Sequence, residues 1–308
     1  MKNQFSTKTR IDIIGTIKVD GANPNGDPLM GNAPRTDPFG HGEMSDVCLK
    51  HNLRSRVPVL SEGKDGFGVF ITPTASDDRT LDAKVSEFTT TDGINVDALL
   101  GHYYDVRAFG AVLISSSKET EDDAEDDGSA TTGKAKPKKP KKAAAENGAA
   151  TKAKKNTDHV NGCVTVTFAK SLEPIVIQEL SITRCAVQSE KEKEKGNKST
   201  FGTKHIVSNA TYRFAMSVNA RRAKQNHFSD EDLALLIQAV RTMFVDNESA
   251  ARPAGSMDVS NMFVVSHESI DGEESVMKTY SRLTKGTGDT FEMDMTKAPT
   301  GISVARIV

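Results

Sequence analysis

The amino-acid sequence predicts an α+β fold in which strands outnumber helices. Two stretches carry this prediction: residues 10–20 alternate apolar and polar side chains with the period of a strand, and residues 228–247 repeat apolar side chains with the period of a helix. The chain has 308 residues, which allows one large domain or two small ones. Because only 36% of the residues are apolar and Trp is missing, part of the chain is expected to lie outside a packed core.

The first strand is predicted in RIDIIGTIKVD, with an interruption at Gly15. Four apolar residues are expected to form its single buried face: Ile11, Ile13, Ile17 and Val19. The segment that follows, residues 21–42, is rich in Gly, Asn, Pro and Asp and is far longer than the roughly 4–6 residues of an ordinary connection. This glycine loop (residues 21–42) is expected either to be flexible or to be shaped for a function.

The first helix is predicted in SDVCLKHNLRSRV, with Ser45 as its N-cap and Pro58 as the residue that ends it. The carboxylate of Asp46 suits the positive end of the helix dipole. Three apolar residues repeat every four positions and are expected to face the core: Leu49, Leu53 and Val57. Lys50 and Arg54 are also four residues apart, and they lie on a different face.

Short elements are predicted in the middle of the chain. Residues 66–72 (GFGVFIT) are interpreted as a strand, and residues 108–115 as a strand that follows a short helix. Residues 74–97 have weak periodicity and several polar side chains, so an irregular insertion is expected there.

The segment 117–158 has the composition of a disordered insertion, acidic first and basic afterwards. Seven acidic residues fall within 119–127, and nine lysines fall within 134–155, among Ala, Gly and Pro. Such a segment has little apolar area to bury. Its lysine-rich half could contact nucleic acid, but a solvated insertion is the preferred interpretation.

A projecting hairpin is predicted in the second half of the chain. Residues 162–187 and residues 204–218 have strand character, and the charged segment QSEKEKEKGNKST joins them. Two strands joined by a long charged tip are expected to project from the body of the protein.

The clearest helix occupies residues 228–247 and has Ser229 as its N-cap. One face of this helix carries five apolar residues: Leu233, Leu236, Ile237, Val240 and Phe244. Residues 258–269 and 287–295 are the last predicted strands. Without its insertions, the order of elements resembles a split βαβ, ferredoxin-like sheet, which RNA-recognition domains also use.

The charge balance argues against a uniformly basic nucleic-acid binder, because 40 basic residues face 42 acidic ones. It leaves room for basic stripes, which net charge does not reveal. Cys48, Cys163 and Cys185 are far apart and form no CxxC pair, which indicates reduced thiols and a cytoplasmic protein. No secretory signal and no apolar run of roughly 18 residues occurs, so no membrane partner is expected.

The sequence carries no motif of a catalytic or cofactor site, and we expect no enzyme activity and no cofactor. Seven histidines are scattered without metal-ligand spacing, and Asp37 and His41 lack a third ligand. No GxSxG is present, and NPNGDPLMGN lacks both the Walker lysine and GxGxxG spacing. KDGFGVF, residues 64–70, loosely resembles an RNA-recognition aromatic box, but a core strand is the preferred interpretation.

Scattered basic residues next to loops and glycines are the remaining candidates for a binding site. They are Arg35, Lys50, Arg54, Arg56, Arg107, Lys204, His205 and Arg252. Taken one at a time, each is better explained as a solvated side chain. If the fold brings them to one face, they would follow a phosphate backbone, and the glycine loop would let backbone N–H groups approach phosphates.

Several motifs occur in the order typical of one family: NPNGDP, GNAPRTDP, SDVCLK, YDVRAFG, SITRCAV, GTKHIV and ARPAGSM. With them the sequence resembles the crRNA-binding backbone subunit of type I CRISPR Cascade complexes, most closely the type I-C branch. The resemblance extends in pieces from Ile11 to Val265. Each motif alone is weak, whereas the ordered set is specific.

The resemblance implies a single domain, residues 1–308, with an RNA-recognition-type palm, a finger-like insertion at 74–97 and a thumb hairpin at 179–205 whose tip spans 191–198. Copies would stack along one crRNA and hold its phosphates. The thumb would kink the guide at intervals, leaving other bases free to pair with target DNA. Other Cascade subunits would join: a 5′-end guide-processing subunit and the large and small subunits.

The same resemblance adds Asn25 of NPNGDP and Met257 of GSM to the basic candidates as guide contacts, with a core position for Met257 equally open. Two departures from the family stand out. Residues 71–97 are short for the finger region, which puts target-DNA contacts there in doubt, and the insertion at 117–158 matches no family motif.

Two other functions remain open. One is a type III-like backbone subunit that cuts target RNA with an aspartate of the first loop, for which Asp20, Asp27 and Asp37 are available. The other is a stand-alone RNA-binding domain. Regularly spaced, metal-dependent cleavage would indicate the first, and a monomer that binds short RNA without assembling would indicate the second.

Overall fold

The computed structural model describes residues 5–73, 76–117, 154–184, 200–288 and 290–308. The helices in these ranges are α1 (Asp46–Leu60), α2 (Leu81–Ser86), α3 (Val96–His102), α4 (Tyr104–Phe109), α5 (Ala220–Gln225), α6 (Asp230–Arg241) and α7 (Val276–Ser281). The strands are β1 (Ile11–Ala22), β2 (Gly26–Asp27), β3 (Ala33–Pro34), β4 (His41–Met44), β5 (Thr89–Thr90), β6 (Gly93–Ile94), β7 (Gly110–Ser117), β8 (Lys154–Asn161), β9 (Val164–Val166), β10 (Ala169–Pro174), β11 (Ile177–Arg184), β12 (Thr200–Val218), β13 (Met257–His267), β14 (Leu283–Lys285), β15 (Phe291–Met293) and β16 (Ile302–Arg306). The predicted mixture of helices and a larger number of strands is confirmed.

One antiparallel sheet organises the fold, with strand order β16-β13-β1-β12-β10-β4. Strand β12 is 19 residues long and pairs with β1 along one edge. Along its other edge it pairs in succession with β11, β10 and β9. The predicted strands at 162–187 are therefore three short strands that share one long partner.

The first strand differs from its prediction, because β1 is buried on both faces. It lies between β12 and β13, and elements pack on both sides of the sheet: Ile11 and Ile13 belong to one hydrophobic cluster, and Ile14 belongs to a second cluster. Gly15 does not interrupt the strand. The ring of Phe214 lies 2.9 Å from where a Cβ of Gly15 would stand, so glycine makes room for the packed ring.

Helices α1 and α6 cover one face of the sheet and form its main core. The predicted cap of α1 is confirmed, since the Cys48 N–H donates to the Ser45 hydroxyl over 3.2 Å. The predicted end at Pro58 is wrong: the helix runs to Leu60, because proline costs one backbone hydrogen bond but its φ suits the last turn. Seven of the eight predicted core residues of the two helices are confirmed as buried: Leu49, Leu53, Val57, Leu233, Leu236, Ile237 and Val240. The eighth, Phe244, is partly buried and lies beyond the helix, which ends at Arg241 rather than at residue 247.

The region after α1 is more regular than the sequence predicts. Residues 76–97 contain α2 and a small β5–β6 hairpin rather than an irregular insertion. Residues 66–72 form only an isolated bridge, between Gly68 and Tyr103, instead of a strand. These elements pack with α3, α4 and the β7–β8 ribbon around a separate hydrophobic cluster.

The charged insertion and the tip of the predicted hairpin lie mostly outside the described residues. Strand β8 begins at Lys154, so the C-terminal end of the segment predicted as disordered, 117–158, is a strand. Residues 118–153 lie outside the described residues, as does the predicted thumb tip at 191–198.

On the other face of the sheet, α7 and the β14–β15 hairpin pack over a third cluster, which contains Phe291. No helix in the described ranges is both long and apolar enough to cross a membrane.

Candidate nucleic-acid interface

The glycine loop is held in a defined shape by its own hydrogen bonds. Strands β2 and β3 form a small hairpin whose tip is a 3₁₀ turn at Pro28–Met30. The Asp27 carboxylate caps this turn by accepting from the Leu29 N–H over 3.0 Å. Gly31 adopts a left-handed φ of 62° at its end, a conformation that glycine adopts without strain. Of the two expectations for this loop, the structure favours the shaped one.

Asn25 joins the glycine loop to the start of α1. Its side-chain oxygen accepts from the Ser45 N–H over 2.9 Å, and its backbone oxygen accepts from the Arg35 N–H over 3.0 Å. The Asn25 side chain thus supplies a hydrogen-bond acceptor to a backbone N–H at the start of the helix, where the helix itself offers no acceptor. In this arrangement Asn25 fixes the position of Arg35 relative to the helix N-terminus.

Arg35 lies at the surface of this loop. One Nη of its guanidinium is 3.2 Å from the Asp27 carboxylate, and the side chain is 39% exposed. A partly exposed pair of this kind contributes little to stability and can exchange partners. Arg35 is therefore able to meet a phosphate without disturbing the core.

The ARPAGSM segment lies against the same loop. The Asn23 N–H donates to the Ala251 carbonyl, and the Asp20 N–H donates to the Ser256 carbonyl, both over 2.8 Å. These bonds place Arg252 beside the loop, half-buried. Met257 pairs with Val19 at the start of β13 and is partly buried against the core.

The Cys48 thiol, in the first turn of α1, donates to the Pro24 carbonyl over 3.6 Å, and the segments that carry Arg35 and Arg252 are hydrogen-bonded to the residues on either side of Pro24. Burial raises the pKa of the Cys48 thiol, and the positive charges of Arg252 and Arg35 partly offset that rise. Both guanidinium groups therefore act on the same thiol. We name the loop–helix surface as the group formed by Asn25, Arg35, Arg252, Met257 and residues 45–48.

Two cations on α1 are already paired. The Lys50 ammonium lies 3.0 Å from the Asp46 carboxylate, one turn earlier on the helix, where it remains partly exposed. The Arg54 guanidinium donates to the Asp105 carboxylate over 2.8 Å and lies over the Phe109 ring. Asp105 also accepts from the backbone at residues 70 and 71, so Arg54 belongs to a structural network.

Arg56 and Arg107 are buried, which argues against the predicted guide contacts at these two residues. Arg56 donates to the Asp246 carboxylate over 2.7 Å and also to the Val245 carbonyl. Arg107 donates to the Asp232 carboxylate over 2.7 Å and to the carbonyls of residues 66 and 100. A buried guanidinium with these partners cannot reach a phosphate unless the core opens. We therefore do not propose Arg54, Arg56 or Arg107 as guide contacts.

Lys204 and His205 are not part of the loop–helix surface. They lie half-buried on β12, where they pair with Leu180 and Glu179 of β11. This antiparallel pair covers residues 177–184 and 200–207, which are the arms of the predicted hairpin. Their role as guide contacts stays a prediction.

Two of the three candidate aspartates of the first loop fix its backbone through hydrogen bonds. Asp27 caps the 3₁₀ turn, and Asp37 accepts from two backbone N–H groups and from Lys170. Asp20 is exposed on β1. Within the described part of the chain, no three His, Cys, Asp or Glu side chains come together as a metal site. Sequence reasoning missed Lys170, because its partner is 133 positions away and no local pattern links the two.

Comparisons with known proteins identify the family of this chain. The family model described as CRISPR-associated protein Cas7 matches residues 9–285, and the chain therefore belongs to that family. A protein of Haloferax volcanii, named CRISPR-associated protein Cas7, is 29% identical over 119 residues. That match covers 35% of this chain and 34% of the relative, so the chain spans about a third of its length.

Two solved structures have a similar backbone. A chain of a CRISPR RNA-guided surveillance complex, pre-nicking, has a TM-score of 0.46 at 14% identity, covering 91% of this chain and 84% of its own. A chain of a second CRISPR RNA-guided surveillance complex has a TM-score of 0.44 at 14% identity, covering 91% of this chain and 77% of its own.

Proposed function

We propose that this Cas7-family chain is a non-catalytic backbone subunit of a type I CRISPR complex, of the type I-C branch, that binds crRNA through its phosphates. The observation that carries the proposal is the pair of cations at the loop–helix surface. Arg35 lies on a loop whose shape is fixed by hydrogen bonds, and Arg252 lies on the segment that is hydrogen-bonded to that loop beside the N-terminus of α1. Guanidinium groups and a helix N-terminus are both suited to phosphate oxygens.

The sheet supports an RNA-recognition-type palm. Strands β13, β1, β12 and β10 lie side by side in that order, α1 follows β1, and α6 lies between β12 and β13 along the chain. This is the order of a split βαβ, ferredoxin-like unit, with its two helices on one face. In this scheme α2 and the β5–β6 hairpin form the finger region, and β11 with the start of β12 forms the thumb.

The remaining parts of the proposal concern assembly. Copies of the chain would stack along one crRNA, each holding a short stretch of guide and kinking it with its thumb. Guide–target pairing, not the protein, would then read the target DNA sequence. Partner subunits would be a 5′-end guide-processing subunit and the large and small subunits. The guide contacts we retain are Asn25, Arg35, Lys50, Lys204, His205, Arg252 and Met257.

The roles of Asp27 and Asp37 in holding the loop favour this proposal over an RNA-cutting subunit. A catalytic carboxylate needs open coordination for a metal or a water, whereas these two already accept backbone hydrogen bonds and face cations. Regular, metal-dependent cleavage of target RNA by the assembled complex would overturn the non-catalytic assignment.

Salt-dependent RNA binding tests the site. Affinity for a single-stranded RNA is measured for Arg35→Ala, Arg252→Ala and the double variant across a range of salt concentrations. Each lost phosphate contact is expected to reduce the slope of log affinity against log salt by roughly 0.7–1. Arg221→Ala is the matched control, because Arg221 is exposed and its ion-pair partner within the described ranges is Asp271. An unchanged slope in the double variant would overturn the site.

A further inference from the structure

Phe39 is an aromatic side chain that the fold presents to solvent. It is 81% exposed, at the tip of the turn formed by residues 37–41 in the glycine loop. Its ring therefore contributes little to the core of this chain. A single exposed apolar side chain is ordinary on a protein surface, so the position and surroundings of this ring decide what it can contact.

The turn that carries Phe39 is fixed by Asp37. One oxygen of that carboxylate accepts from the Phe39 N–H and from the His41 N–H, each over 2.9 Å. The other oxygen accepts from the Lys170 ammonium over 2.8 Å. Gly40 closes the turn with a φ of 83°, and its N–H donates to the Asp37 carbonyl over 3.0 Å. The backbone that carries the ring therefore has few alternative conformations.

The turn also lies between the two regions proposed to contact the guide. A backbone bridge between Thr36 and Gly42 closes its base, directly after Arg35. On the other side, the Ile175 N–H donates to the Gly40 carbonyl over 2.9 Å, just before the β11 arm of the hairpin begins. A nucleic-acid strand that runs from Arg35 to the hairpin would therefore pass the 37–41 turn.

We propose that Phe39 stacks on a base of the RNA strand whose phosphates contact the loop–helix surface. This inference rests on the proposed function and names a contact that phosphate binding alone does not require. Arg35 directly precedes the turn and is the cation proposed to hold a phosphate, which places the ring next to the same nucleic-acid strand. Lys170, half-exposed beside the turn, already pairs with Asp37 and Glu43. Stacking accepts any base, so the contact fits a subunit that holds guides of any sequence.

The experiment measures binding of two single-stranded RNAs to the full chain: an oligouridine, and the same strand with abasic sites, which keeps every phosphate. The variants are Phe39→Ala, Phe39→Leu and Phe39→Trp. Met277→Ala is the matched control, because Met277 is 82% exposed and lies on α7, remote in sequence from the loop. Thermal unfolding of each variant verifies that the fold is retained.

Phe39→Ala is expected to weaken oligouridine binding by about five- to a hundredfold, with Phe39→Leu similar and Phe39→Trp close to the unchanged protein. The salt slope is expected to stay the same, because stacking releases no counterions. The unchanged protein is expected to prefer oligouridine over the abasic strand, and Phe39→Ala to lose that preference.

Two results would overturn the stacking contact while leaving phosphate binding in place. One is normal oligouridine affinity in Phe39→Ala, and the other is full retention in Phe39→Leu, which would indicate an apolar contact without stacking. Failure of the unchanged protein to bind RNA in a salt-dependent way would overturn the proposed function instead, and the stacking with it.

Discussion

The guanidinium of Arg107 lies 2.7 Å from the carboxylate of Asp232, in the interior between α4 and α6. The second oxygen of Asp232 accepts from the Ser229 N–H over 2.7 Å and so completes the capping box of α6. Arg107 also donates to the Gly66 carbonyl over 2.8 Å. One buried arginine therefore joins the segment after α1, helix α4 and the start of α6.

Removal of the Arg107 side chain is predicted to destabilise the protein rather than to weaken RNA binding directly. Arg107→Ala leaves the Asp232 carboxylate buried without its cation, a change that typically costs about 3–5 kcal/mol of the free energy of unfolding. Urea unfolding measures the loss, with Arg35→Ala as an exposed control that is expected to lose less than about 1 kcal/mol. A fully stable Arg107→Ala protein that had lost RNA binding would contradict the structural role.

A substitution at Gly15 is predicted to disturb the centre of the sheet. In Gly15→Ala the new Cβ would overlap the Asn261 carbonyl oxygen and lie 2.9 Å from the Phe214 ring, and the backbone oxygen cannot move aside without shifting β13. Overpacking of this kind costs roughly 1–3 kcal/mol. Gly101→Ala is the control: this glycine lies in α3 with open space around its Cβ position, so the change is expected to stabilise by up to about 1 kcal/mol.

The 37–41 turn is predicted to hold its shape from neutral pH down to the acidic range. The Lys170 ammonium, with the backbone N–H groups at residues 39 and 41, holds the pKa of Asp37 below its ordinary value of 3.8. A lowered carboxyl pKa gives stability that is present above 3.8 and is lost as pH falls through the lower, folded value. NMR titration of the carboxyl measures this, and Lys170→Met is expected to raise the pKa. An Asp37 that titrates at 3.8 in the unchanged protein would contradict the prediction.

Local patterns were sufficient to predict the helices that build the core. The caps at Ser45 and Ser229 and the apolar faces of α1 and α6 depend on residues within a few positions of each other, which is the range that a sequence pattern reports. The same range explains the error at Pro58. A proline is a local signal for a helix end, yet one further turn is stable when Val57 is anchored in the core.

Long-range pairing explains what the sequence could not predict. The period of β1 reports one buried face, whereas its second face is buried because elements from the far end of the chain, which contribute Leu283 and Phe291, pack over the sheet around Ile14. In the sequence, nothing distinguishes Arg107 from a surface cation. The fold brings it beside Asp232, which is 125 positions away. Three candidates named from the sequence, Asn25, Arg35 and Arg252, lie in or beside the glycine loop, and their role as guide contacts stays a prediction. No sequence pattern singled out Phe39, which is distinguished only by its exposure.

The charged insertion is predicted to be dispensable for folding when it is cut at the right place. Strands β7 and β8 pair up to Ser117 and Lys154, so an Asn-Gly turn in place of residues 118–153 closes the ribbon as an ordinary hairpin and is expected to leave the free energy of unfolding unchanged. Deletion of 117–158 instead removes the first half of β8 and is expected to destabilise the protein, because it uncovers the buried Leu113. Urea unfolding and RNA binding of both deletions separate the two effects. Equal stability of the two proteins would contradict the role of β8. Lost RNA binding in the shorter deletion, at unchanged stability, would show that the lysine-rich half contributes to binding.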